Sequence, residues 1–110
     1  MSDKIHSILA EKKNLGNLVN YQDGSVVSRT IIEKETGTIT LFAFDQNQGL
    51  SEHTAPFDAM VYIVDGAAEI IISEQKHELR AGEAIIMPAD EPHASQAKER
   101  FKMLLIMIRN

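Results

Sequence analysis

The sequence predicts a single all-β domain, a barrel or sandwich of antiparallel strands behind a short helical lead-in. Three observations carry that prediction. From Val26 onward the chain reads as a succession of short apolar segments, each bounded by turn residues. The pairs Asp23-Gly24, Thr36-Gly37, Asp65-Gly66 and Ala81-Gly82 allow positive φ at little steric cost, and Pro56, Pro88 and Pro92 fall at strand ends or in loops, where a missing N–H breaks no ladder. The last segment, 101–108 (FKMLLIMI), holds no Gly or Pro and is apolar on both faces. Many short strands divided by turns make a closed or double-layered all-β fold.

The elements follow in order. Residues 2–12 are expected to form a short helix, with Ser2 as N-cap and Ile5, Ile8 and Leu9 near one face, ended by Asn14-Leu15-Gly16-Asn17. Strands are expected at 26–33, 38–44, 59–64, 67–73, 76–80, 84–87, 92–97 and 101–108. Segment 45–52 (DQNQGLSE) reads as a polar loop, and Asp65-Gly66 as a turn between two strands. In the last strand, Phe101, Met103, Leu105 and Met107 lie on one face and Leu104, Ile106 and Ile108 on the other, so it must be covered twice. The domain interior supplies one cover. A second copy of the chain, hence a homodimer, is the expected second cover, and the alternative is that the N-terminal helix folds across it.

Composition bounds the function. With 110 residues there is enough chain for one core, so residues 1–110 are read as one domain, 1–24 as lead-in and 26–108 as barrel. The run Met103–Ile108 is too short to span a bilayer, and the N-terminal MSDKIHSILAEKK has charges on both sides of its apolar patch, unlike a secretory signal. A cytoplasmic protein with no membrane partner is therefore expected. A net charge of −5 with scattered basic residues speaks against nucleic acid. There is no cysteine, so any metal must be held by His, Asp or Glu.

The stretch Gly49–Gly66 (GLSEHTAPFDAMVYIVDG) and the later Gly82–Ala97 carry a resemblance to the two motifs of the cupin superfamily. His53 and Gly66 match the first motif's frame, and Gly82, Pro88 and His93 match the second. Fifteen residues, Ala67 to Ala81, separate the two, a spacing similar to that of small microbial cupins. The resemblance covers about residues 38–108 and implies an antiparallel β-barrel of jelly-roll type. It also implies a site: the family's usual three histidines and one glutamate, which hold a divalent metal, fall on His53, Ala55, His93 and Ala59. Asn47 stands in the first glycine's place, and Ala97 in the last position of the second motif.

Two imidazoles are a poor divalent site, since zinc normally takes three or four protein ligands. Glu52, Asp58, Gln96 and His77 are the polar residues nearby in sequence that remain to complete one. Three readings follow for His53 and His93: hydrogen-bonding or acid–base groups in a metal-free pocket, the remnant of a metal site, or barrel-mouth residues that fix loops. Because ligand pockets are mainly hydrophobic with a few polar groups, Phe44, Phe57 and Met87 are the expected apolar contacts of a small molecule bound around the two histidines. The resulting expectation is a small-molecule-binding cupin of unassigned reaction. The alternative is a metal-dependent enzyme of the dioxygenase, isomerase or decarboxylase type with a reduced ligand set.

Overall fold

The structure is a computed structural model and describes residues 8–109. It contains β1 (Val26–Lys34), β2 (Gly37–Phe44), β3 (Gly49–His53), β4 (Ala59–Ile72), β5 (Gln75–Arg80), β6 (Ala84–Met87), β7 (His93–Gln96) and β8 (Phe101–Ile108), all paired antiparallel. The strand order is β1-β2-β8-β4-β7-β3, with β5 and β6 also on β4. The expected all-β fold is what the chain forms, a sheet curled on itself.

β4 is the hinge of that curl. Its first half pairs with β6 on one side and β8 on the other, through Ala59 opposite both Met87 and Met107. Its second half pairs with β5 and β7, through Ile70 opposite His77 and Ser95. The expected turn at Asp65-Gly66 is instead a bulge within this one strand: the register against β8 shifts between Ile63 and Asp65, and Gly66 has φ +76°. A side chain at Gly66 would be driven into the carbonyl of Arg100, so only glycine lets β8 pass this close. Asp-Gly signals positive φ, and here positive φ bends a strand without ending it. The true reversal lies at Ser73-Glu74, with φ 48° and 70°, the two positive values of a tight hairpin turn.

Two apolar layers follow from strand alternation. Inside the curl, Phe44 and Phe101 are fully buried and stack at 4.3 Å between ring centroids, with Val61, Ile63 and Ile70 around them. Such a ring pair adds about 0.5–1.5 kcal/mol beyond the area it buries. Outside, Leu41, Ala43, Val64 and Leu104 are covered by Leu15, Leu18, Val19 and Tyr21 of the lead-in.

Among the described residues, the lead-in is not the expected helix. Residues 2–7 of the expected span, with Ser2, Ile5 and His6, lie outside the described residues. Residues 8–10 form a turn in which Ala10 takes φ 62°, a value no α-helix accommodates, and Leu15–Asn17 is a single 3-10 turn capped by Asn14 Oδ1, which accepts from Gly16 N at 3.0 Å. An eleven-residue helix is marginal alone. Here the apolar side chains of residues 15–21 gain their burial by lying across the sheet. Residues 15–21 cover the outer face of β8 at Leu104, whereas Ile108 is 66% exposed.

Segment 45–52 is not all loop. Gly49–His53 forms β3, at the end of the strand order against β7, with Gly49 opposite Gln96 and His53 opposite His93. Its side chains are mostly exposed, so it shows no apolar alternation. A Cβ at Gly49 would meet the Ser95 carbonyl, which explains the glycine at the point of closest approach.

Candidate functional site

Pairing of His53 with His93 across β3 and β7 brings the two rings face to edge, 4.3 Å between centroids. Their Nε2 atoms are 3.1 Å apart. His93 is buried and His53 exposed, so the pair reaches from the interior to solvent.

The outer nitrogens fix the tautomers. His53 Nδ1 lies 2.8 Å from the carbonyl of Ser51, and His93 Nδ1 lies 3.2 Å from that of Glu91. A carbonyl oxygen only accepts, so in each neutral ring Nδ1 carries the proton and donates it. Both Nε2 atoms then present lone pairs, and these face each other. Such an arrangement is completed by one positive or hydrogen-bond-donating partner. Burial lowers the pKa of His93 below its usual 6.5, opposed by the bond to the Glu91 carbonyl and reinforced by the nearby His53.

The pair forms the polar end of a small cavity of about 70 Å³. The remaining wall is almost wholly apolar: Leu50, Ala55, Ala59, Val61, Ile70, Met87, Met103, Leu105 and Met107, with Ala94 and Ser95. Among the described residues, no Lys, Arg, Asp or Glu lines it. Ala55, Ala59 and Val61 line it on one side and Met103, Leu105 and Met107, which share one face of β8, on another. Leu50 and Ile70 complete the wall, positions to which the sequence reading gave no role.

Of the five expected contacts, the structure brings together His53, His93 and Met87. Phe44 and Phe57 are not among the lining residues and are corrected. Phe44 is consumed by its stack on Phe101 deeper in the core. Phe57, in the loop before β4, lies under the guanidinium of Arg109, 5.2 Å from its ring centroid. Ser95 was missed, although it stands two residues after His93 on β7 and alternation places both on the inward face.

The family's metal site finds a poor fit in this donor set. Ala55 and Ala59 offer methyl groups where a nitrogen and a carboxylate would bind, and among the described residues no three of His, Cys, Asp and Glu lie together. Asp58, one candidate to complete the set, accepts instead from the backbone N–H of Ala89 at 2.8 Å. Glu52, His77 and Gln96 are not on the cavity wall.

Residues 40–108 match the family model described as cupin domain. Among solved structures, a conserved protein of unknown function from Streptococcus pyogenes is 37% identical with a TM-score of 0.88, over 92% of this chain and 89% of that one. A cupin superfamily protein from Desulfitobacterium hafniense is 29% identical with a TM-score of 0.87, over 92% and 93%. A cupin 2 conserved barrel domain protein from Leptotrichia buccalis is 34% identical with a TM-score of 0.83, over 86% of this chain and 46% of that one. A search of curated proteins finds no significant match.

Proposed function

From the premise that this chain belongs to the cupin domain family, we propose that it binds a small, largely apolar molecule in its barrel, with His53 and His93 as the polar recognition point. One observation carries the reading: two Nε2 atoms, 3.1 Å apart and each left as an acceptor by the bond its ring's Nδ1 makes, stand at one end of an otherwise apolar cavity. Pockets of this make-up, apolar with a few convergent polar groups, suit small ligands.

The chemistry available to the chain's own residues is acceptance of a proton. His93, buried and held below its usual pKa, is neutral near pH 7 and therefore competent as a base. A bound molecule carrying an acidic or hydroxyl proton would meet this acceptor first. Whether recognition proceeds to turnover depends on the ligand, and the same pair serves a binding module or an enzyme. Among the described residues, the metal-dependent alternative lacks the ligands that would complete it.

Ligand binding tests the reading. A fragment screen by ligand-observed NMR should yield apolar molecules with one polar end that bind the native chain and are lost in His53→Ala/His93→Ala, while circular dichroism shows the variant folded. Hits unaffected by the double substitution would contradict it.

A homodimer is proposed as well, on the outer face. Ile86, Met60, Ile106, Ile39 and Ile32 stand opposite one another across β6, β4, β8, β2 and β1, a continuous apolar row. Ile86 at its end is 61% exposed. Rows of this kind on one sheet face suit an isologous contact, in which the same patch serves both copies.

A further inference from the structure

The cavity holds one polar group that the histidine pair does not explain. Ser95 is 5% exposed and lines the wall, yet its Oγ is buried without a hydrogen-bond partner among the described residues. An unmet buried hydroxyl is costly, and natural structures keep few of them. Its position is the inward face of β7, two residues from His93, with Leu50 and Ile70 opposite on the flanking strands.

We infer that Ser95 is a ligand-binding residue and that the ligand is a small monocarboxylic acid with an apolar body; this rests on the cavity being a binding site. The polar inventory of the wall asks for a head group that both donates and accepts. The two Nε2 atoms are acceptors facing each other, so binding must bring a proton to them. The Ser95 hydroxyl needs an acceptor, so the ligand must also present an oxygen lone pair. A carboxyl group does both from one carbon: the acid, ionised in neutral solution, binds together with one proton taken from solvent, which is held by an Nε2 atom and donated to one carboxylate oxygen, while the second oxygen accepts from Ser95 Oγ–H. No covalent bond of the ligand is broken. The imidazolium and carboxylate so formed balance each other inside a wall that has no other charge. An amine would bring protons but no acceptor for Ser95. A sugar or a phosphate would leave several polar groups against Leu50, Val61, Ile70 and Leu105 with nothing to bond.

Isothermal titration of the full chain with acetic, propionic and butyric acids, sized to the cavity and each beside its methyl ester, tests the proposal. The expected result is that at least one acid binds more tightly than its ester. Ser95→Ala should then weaken that acid roughly tenfold, the scale of a hydrogen bond to a charged group. The ester's affinity should barely change, and the melting temperature of the unliganded variant should stay level or rise, because an unpartnered hydroxyl has been removed. Ser95→Ala binding the acid as well as the native chain does, or esters binding as tightly as acids, would overturn the carboxylate assignment and leave the cavity's role standing. Acid binding that persists in His53→Ala/His93→Ala, or no binding of acid or ester at all, would overturn both.

Discussion

His93 shows how one residue joins stability to the proposed chemistry. Burial holds its pKa below 6.5, so the folded chain resists a proton that the unfolded chain accepts at that value. The sign follows: the contribution is fully present above about 6.5 and is lost as pH falls through the depressed folded value. Urea midpoints measured from neutral pH down to about pH 5 should therefore fall, and His93→Gln should flatten that slope. Asp45 acts at the other end of the scale. Its carboxylate accepts from Gly24 N at 2.7 Å and from Arg100 Nε at 2.7 Å, which hold its pKa at about 2 against an ordinary 3.8. That contribution is present above 3.8 and disappears as pH falls through about 2. Asp45→Asn should make thermal stability less sensitive to acid below about pH 4, whereas an unchanged acid limb would show that the contact carries no linkage.

Among the elements, β4 decides the fold through Gly66. Alanine there meets both the positive φ and the Arg100 carbonyl, so Gly66→Ala should cost at least about 1–3 kcal/mol in denaturant unfolding. A neutral result would mean that the bulge is not what turns the sheet. Phe101→Ala, which removes one ring of the buried stack, should cost about 3–5 kcal/mol in the same assay. These elements also mark what the sequence makes legible. β8 was readable end to end because no breaker interrupts it and both faces are apolar. His53, His93 and Met87 could be placed together by strand alternation and motif frame. β3 was hidden because its exposed, polar side chains carry no pattern, its existence depending on hydrogen bonds to β7. The bulge at Gly66 was hidden because a turn and a bulge ask the same φ of the same residue. Phe44 and Phe57 were misplaced for a different reason: alternation gives a face, and depth along the barrel comes only from the three-dimensional pairing.

At the scale of the molecule, the lead-in covers one part of the outer sheet and leaves the Ile86–Ile32 row for the proposed second copy. Sedimentation should give a dimer at micromolar concentration and a folded monomer for Ile106→Asp, placed at the centre of that row; a monomeric native chain would remove the dimer. Inside, Ala55 and Ala59 line the wall beside His53 and His93, so the cavity is mostly apolar with the histidine pair at its end. The central claim is that this pair takes up a proton with its ligand in place of a metal. Metal content of protein purified without a histidine tag, set beside His53→Ala/His93→Ala, tests it most directly. Far less than one ion per chain is expected, with no difference between the two proteins. Near-stoichiometric metal in the native chain that vanishes in the variant would contradict it.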